Sequence, residues 1–431
     1  MRWGSIPLKR IATLTAGGTP AVGDPAFWSV GDEGHAWVSI SDMSSVDSVT
    51  KTARRISDDG LLSARIKLGN PGTILFSMYA SLGHTAWLSV PAAWNQAILG
   101  LCPDSTVDAR FLRYALVHLR PHLLEVARSN TQANLNAEQV GNLTIPYPSF
   151  QEQRRIAEFL DVETDRIDQT VTVQEAARAV LLERRNAGVL GAVTGASIKD
   201  RAPSTLAWAD TLPSSWREVK LTHVARMGSG HTPSRNKPEW WVDCTIPWVT
   251  TGEVSQMRSD RLEVLEETRE KISAIGLANS SATIHPQSTV VLCRTAASAG
   301  YSAVMGRNMA TSQDIATWTC GPKLDPFFLL WCLRAMRRDL LERLAMGSTH
   351  KTIYMPDLQA LRIPLPSICE QAQIVAEIRS MNAPVDSAID TIDRQLTLLA
   401  ERRQTLITTA VTGQIDVTTA SGRSLHGGAA V

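Results

Sequence analysis

The chain carries one pattern twice. Ile145-Pro146-Tyr147-Pro148-Ser149 leads to Glu152-Gln153 and Ile156, then to Glu183-Arg184-Arg185 and Val193-Thr194-Gly195. Ile363-Pro364-Leu365-Pro366-Ser367 leads to Glu370-Gln371 and Ile374, then to Glu401-Arg402-Arg403 and Val411-Thr412-Gly413. Both ends keep one offset of 218 residues (363 − 145 and 413 − 195), close to half of the 431-residue chain. A repeat of this length fixes architecture before any single element is assigned. A pseudo-twofold chain suits a pseudo-twofold target or two copies of one partner.

The match continues upstream with small insertions. Thr19-Pro20 and Trp28 answer Thr232-Pro233 and Trp241, and Trp37-Val38-Ser39 answers Trp248-Val249-Thr250. Ile56 to Gly60 answers Ile272 to Gly276, Gln96 answers Gln313, and Asp108 to Leu112 answers Asp325 to Leu329. Each copy is therefore a globular module of about 150 residues, ordinary for a domain, followed by a segment of different character. The modules read as mixed α/β. Short β-branched or aromatic runs (37–40, 73–76, 289–292) lie between Gly, Pro, Ser and Asp clusters, as strands do. One helix per module follows a cap-like aspartate, at 108–126 and 325–344.

The segments after the modules are amphipathic helices. Ile378, Val385, Ile392, Leu399 and Leu406 recur every seven residues, with Ile389 and Leu396 beside them; Leu160, Ile167, Val171 and Leu181 keep the register in the first copy. A sevenfold apolar repeat marks helices packed along a seam. Gln174 and Gly188 interrupt the first stripe. Pro384 disfavours the helical conformation at Ala383, which predicts a short helix near 369–381 and a long one from 384. The alternative to a two-helix antiparallel spacer is an ordinary bundle helix, but no other domain is present to cover two of them. Residues 196–213 are expected to be a linker, and the Gly- and Ala-rich tail after 417 to be disordered.

Composition narrows the function. Hydrophobic residues at 44% and charged residues at 20% describe a soluble globular protein, and no apolar run of about 18 residues would span a membrane. The N-terminus lacks a signal-peptide core, and the six cysteines form no CxxC pair, so a reducing cytoplasm is expected. A formal net charge of +1 argues against tight autonomous DNA binding unless charges are sorted onto faces or a partner supplies positive surface. Catalytic machinery is not evident. There is no Pro-Pro pair for an Asn/Asp-Pro-Pro-aromatic methyltransferase loop, no P-loop, no HExxH and no Gly-x-Ser-x-Gly. Gly228-Ser229-Gly230 is followed by Pro233 where a cofactor-binding turn needs a helix, and the nine histidines include no pair at metal spacing.

The doubled pattern of polar loop, Ile-Pro-x-Pro-Ser, Glu-Gln, long helix, Glu-Arg-Arg and Val-Thr-Gly resembles the DNA-specificity subunit of type I restriction–modification systems. Tyr147 stands where the motif more usually has leucine, and Cys369 precedes Glu370. The resemblance implies an α+β chain: two α/β target-recognition domains separated by two long helices packed as an antiparallel coiled coil. Its boundaries here would be 1–150 and 214–368 for the domains, 151–195 and 369–417 for the helical spacers, 196–213 for the linker and 418–431 for the tail. It implies a non-catalytic subunit that reads one half of a bipartite asymmetric site with each domain. Two adenine-N6 methyltransferase subunits would dock on it, with S-adenosylmethionine bound to them and none to this chain, and restriction–translocation subunits could join. The rival is a two-module DNA-binding or scaffold protein acting without methyltransferases.

Base readers are expected among polar loop residues whose side chains match major-groove edges. The candidates in the first module are Gly18, Thr19, Ser129, Asn130, Thr131, Gln132 and Asn134, with Ser77 and Tyr79 after a matching strand. In the second they are His231, Thr232, Ser234, Arg235, Ser348, Thr349, His350 and Lys351, with Arg294 and Thr295. A solvated polar turn is the plain alternative for each. Trp28, Trp37, Trp241 and Trp248 are expected to pack in the core, with base stacking as the alternative. Glu152, Gln153, Glu370 and Gln371, with Glu183, Arg184, Arg185, Glu401, Arg402 and Arg403, are candidates for partner docking or for locking the spacer; a solvated helix face would also explain the charged ones.

Overall fold

A computed structural model describes residues 3–129, 134–345 and 352–417. The chain divides into two compact units that do not follow chain order. Unit 1 comprises Met1–Gln174 with Arg394–Val431, and unit 2 comprises Glu175–Asp393. Two 44-residue helices, Phe150–Val193 and Ile368–Val411, contribute a part to each unit. At about 1.5 Å per residue each is roughly 66 Å long.

In unit 1 the module is built on a five-stranded sheet in the order Ala12–Ala16, Ile98–Pro103, Ile74–Ser77, Thr85–Leu88, Ser48–Val49. All neighbours are antiparallel except the last pair. A second sheet joins Trp28–Ser29, Arg54–Ile56, His35–Val38 and Ala92–Trp94. The helix Ala109–Ser129 packs behind the first sheet, where Phe111, Leu112, Ala115 and Leu116 are buried. The same core takes in Ile156, Ala157, Leu160 and Ile167 of one long helix and Leu406, Ile407, Ala410 and Val411 of the other.

Unit 2 repeats the plan. Its five-stranded sheet runs Ala225–Ser229, Ile315–Cys320, Val290–Cys293, Ser302–Met305, Val264–Leu265. Its core joins Phe328, Leu329, Trp331 and Leu333 of the module helix to Val189 and Val193 of one long helix and Ile374, Val375 and Ile378 of the other. That module helix is shorter than expected: Pro326–Ala335 gives way to a turn at Arg337–Asp339 and a π-helical turn at Leu340–Leu344. The segment 196–213 is structured as well as connecting. Arg201–Pro203 pairs with Thr211–Pro213, and Leu206 and Leu212 enter the core.

The doubled motif has a clear structural meaning. Ile145 and Ile363 are fully buried on closing strands that pair antiparallel with Ser5–Pro7 and Arg217–Lys220. The chain then turns into a long helix, and the glutamine of Glu-Gln points back into the module. Gln153 Oε1 accepts from the Asp108 amide at 2.9 Å while its Nε2 donates to the Pro148 carbonyl at 3.0 Å. Gln371 repeats this with the Asp325 amide (2.8 Å) and the carbonyls of Pro366 and Lys323 (2.9 Å each). Asp108 and Asp325 in turn cap the module helices, accepting from Arg110 and Phe111 and from Phe327 and Phe328.

Within unit 2 the long helices run antiparallel: Arg178 pairs with Asp393 (2.7 Å) and Arg185 with Asp386 (3.0 Å), seven residues forward on one helix and seven back on the other. In unit 1 Arg403 pairs with Asp168 at 3.2 Å. Val385, Ile389, Ile392 and Leu406 of the apolar stripe are buried. The expected break at Pro384 does not occur, for Ile368–Val411 is one helix. A proline costs an interior helix about 3 kcal/mol, yet the flanks are held from outside: Ile378 and Val385 are buried, and Arg261 binds both the carbonyl and, at longer range, the carboxylate of Asp386. Gly188, a gap in the stripe by sequence, lies where a Cβ would sit 2.6 Å from Met381 Sδ, so the gap is filled from the other helix. No helix among the described residues is long and apolar enough to cross a membrane.

Candidate nucleic-acid interface

The two modules present a matched polar feature at the loop that follows the first strand of each large sheet. In unit 1 Thr19 Oγ1 hydrogen-bonds Gln96 Oε1, and in unit 2 Thr232 Oγ1 donates to Gln313 Oε1 at 2.6 Å. Both glutamines are exposed. With the carbonyl oxygen occupied by threonine, each amide keeps its NH2 free to donate. These glutamines were not among the expected readers, although their recurrence in register marked them. The loop itself is held close to the fold. Gly18 N–H donates to the Trp94 carbonyl at 2.8 Å, and a Cβ on Gly18 would lie 2.7 Å from Ile66. Its role is a close approach of backbone, with Trp37 Nε1 donating to the Gly18 carbonyl at 3.1 Å.

In unit 2 the His231 amide donates to the Thr311 carbonyl at 3.0 Å, and its side chain faces solvent. Ser234 is exposed and its carbonyl accepts from Trp241 Nε1 at 3.1 Å. Arg235 sits over Trp241, its Cζ 3.9 Å from the ring centroid, and pairs with Glu270 at 2.8 Å. The tryptophans form edge-to-face pairs in both modules, Trp28 with Trp37 and Trp241 with Trp248. Trp37 and Trp248 are buried, while Trp28 and Trp241 are half-buried and keep a surface to the outside.

Other expected readers are placed differently. Ser77 is fully buried, its hydroxyl donating to the Tyr79 carbonyl at 2.7 Å, so it shapes a turn and cannot reach a ligand. Its strand continues one residue further than the sequence pattern suggested, which carries Ser77 inside. Tyr79 is half-buried against the core. Arg294 is taken up by the protein: Nε donates to the Gln313 carbonyl at 2.9 Å, and its own carbonyl accepts from the Ile353 amide at 2.8 Å. Thr295 forms a β-bridge with Thr352. Ser129 ends the helix Ala109–Ser129, and Asn134 is exposed. Asn130, Thr131, Gln132, Ser348, Thr349, His350 and Lys351 lie outside the described residues.

The mirrored charged motifs separate by position. Gln153 and Gln371 are buried joints, as above, and offer nothing to a partner. Ser367 Oγ and the Glu370 carboxylate cap the helix start reciprocally, and those hydrogen bonds hold the Glu370 carboxyl below the usual range; the Glu152 amide donates to Ser149 Oγ. Arg185 and Arg403 are the interhelical ion pairs, while Glu183, Arg184, Glu401 and Arg402 are exposed and remain available. Among the described residues no cluster of His, Cys, Asp and Glu could hold a metal ion.

Comparison with known proteins agrees with this organisation. The family model of the type I restriction modification DNA specificity domain matches residues 2–176 and again 213–392. The chain is 21% identical over 359 residues to the EcoBI specificity subunit of Escherichia coli, covering 80% of this chain and 74% of that one. It is 19% identical over 426 residues to the MjaIX specificity subunit of Methanocaldococcus jannaschii, covering 96% and 94%. A chain from a structure that addresses complex assembly and conformational transition of the type I R-M system superposes with a TM-score of 0.66, at 19% identity and covering 96% of this chain and 98% of that one. With both copies of the repeat matched by one family, the chain belongs to the type I restriction–modification DNA specificity subunits.

Proposed function

We infer that this chain is the DNA-reading, non-catalytic subunit of a type I restriction–modification complex, each module reading one half of a bipartite asymmetric site. The observation that carries the reading is the division of the repeat. The joint from Ile-Pro-x-Pro through the buried glutamine to the long helix is the same in both units. The module surfaces differ, as two readers of different half-sites on one scaffold should. Polar loop side chains, including Thr19 with Gln96 and Thr232 with Gln313, would address base edges, where amide side chains are well matched to adenine. Two adenine methyltransferase subunits would dock on the exposed charged helix faces and bring S-adenosylmethionine, and restriction subunits would join that assembly. Continuous helices suit a ruler for the unread gap between half-sites. Sequencing the host methylome with and without the chain tests the reading. The expected result is a bipartite adenine mark that disappears with the chain, and whose gap changes when helical turns are inserted before Glu401. A mark that persists unchanged without the chain would refute it.

A further inference from the structure

Both modules lay an arginine on the outer tryptophan of the edge-to-face pair, but from different places in the sequence. In unit 2 it is Arg235, from the loop after Thr232-Pro233. The matching position after Thr19-Pro20 is Val22, which is 60% exposed and carries no charge. Unit 1 supplies Arg54 instead, its Cζ 5.3 Å from the Trp28 ring centroid. Arg54 stands two residues before Ile56, where unit 2 has Glu270 two residues before Ile272. The same cation is thus delivered to the same aromatic platform by two non-equivalent positions. In unit 2 it is neutralised by Glu270. In unit 1 Arg54 is exposed and makes no ion pair with a carboxylate among the described residues.

The surroundings in unit 1 favour an anion. Arg54 borders a groove of about 890 Å³ lined also by Lys51, Arg55, Asp32 and His35. Arg55 donates to the carbonyls of Glu33 and Gly34 (2.7 and 2.6 Å), and His35 pairs with Asp58 at 2.8 Å. Three permanent cations therefore face one unpaired lining carboxylate. A guanidinium resting over an indole at cation–π distance, with no carboxylate to occupy it, keeps donors available to phosphate oxygens.

We propose that the Arg54–Trp28 platform and Lys51 seat a phosphate of the DNA backbone, so that unit 1 holds its half-site with a contact that unit 2 leaves neutralised. The proposal rests on the DNA-reading function above. The test uses the full chain assembled with its methyltransferase subunits and the target duplex, with affinity measured across a salt series. Each phosphate contact contributes about 0.9 to the slope of log affinity against log salt. Arg54→Ala should weaken binding to all sequences alike and lower the slope by about one, making the loss between 50 and 200 mM salt roughly threefold smaller. Arg54→Lys keeps the charge and should keep the slope. Arg235→Ala should change the slope by less than half as much. Arg54→Gln guards against a folding effect, since it keeps a polar, hydrogen-bonding side chain on the strand while removing the charge. An unchanged slope in both uncharged variants, with target recognition intact, would overturn the seat alone. A wild-type assembly without salt-dependent affinity for DNA would overturn the seat and the function together.

Discussion

Units 1 and 2 each pack their module on the long helices through an apolar core of their own, and they differ in how the rest of the module is fastened to those helices. In unit 2 a single residue gathers three arginines. Asp260, at a left-handed φ of +54°, accepts on its carbonyl from Arg185 (2.9 Å) and Arg334 (2.7 Å) and on its carboxylate from both Nη atoms of Arg337 (2.6 Å each). Its neighbour Arg261 reaches Asp386 and Asp390 on the other long helix. Trp331 lies under Arg334 and Arg185, and burial pulls the Arg334 pKa down to about 10. In unit 1 the positions matching Asp260, Arg261 and Arg334 are Ser44, Ser45 and Val117, so Arg120, which matches Arg337, has no carboxylate to meet there and its Nε donates to the Leu82 carbonyl at 3.2 Å. Its module helix relies on Tyr114, whose hydroxyl donates to Asp161 at 2.9 Å, and on Arg110, paired with the same carboxylate. The lesson is that the shared joint makes the fold, while a polar clasp private to one module stiffens its seat.

The contrast can be broken most directly at Asp260. Asp260→Ala takes the carboxylate from both Nη atoms of Arg337 and from its place 3.5 Å from Arg334 Nε, whose side chain is 3% exposed, and removing one partner of a buried charge network costs about 3–5 kcal/mol. Hydrogen exchange should show unit 2 destabilised and unit 1 unchanged, whereas Ser44→Ala should stay within about 0.5 kcal/mol. Equal losses in the two units would sink the comparison. A finer test uses ion pairs related by the repeat. Arg185 is 4% exposed and Arg403 is 32% exposed, so Asp386→Ala should cost about 1.5–3 kcal/mol and Asp168→Ala about 0–1 kcal/mol. Chemical denaturation of the two variants compares them, and a reversed order would mean that burial does not set the strength of the pair.

The smallest effect is with pH. Burial lowers the pKa of His84 and His118 in unit 1 and of His285 in unit 2 below the ordinary 6.5. The folded state prefers the neutral ring, so the unfolded chain binds protons first as pH falls. Stability is therefore complete above pH 6.5 and is lost as pH drops through the folded values. With two such histidines against one, unit 1 should lose more. Melting of His118→Gln and His285→Gln variants at pH 7.5 and 5.5 would show it as a flatter pH response in each.

Much of this was legible in the sequence because repeats report on themselves. The modules, the module helices capped by Asp108 and Asp325, and the apolar seam all follow from local spacing. Pro384 misled because its local penalty is outweighed by contacts from residues 185 and 261, which no local pattern reveals. Ser77 was misplaced by one residue of strand, and because Ile74–Ser77 is buried on both faces, one more residue of strand is enough to enclose a side chain. The clasp at Asp260 was invisible for a similar reason: its members at 185, 260, 334 and 386 meet only after folding. Gln96 and Gln313 could have been found, because both recur in register with threonines already singled out.

The division of the long helices between units has a consequence for how the gene tolerates damage. A chain cut short after Asp393 would retain every residue of unit 2. It would lose Leu406, Ile407, Ala410 and Val411 from the core beneath the amino-terminal module. A late nonsense or frameshift lesion would therefore be felt first at the beginning of the protein, and the half encoded in the middle would be the one to survive.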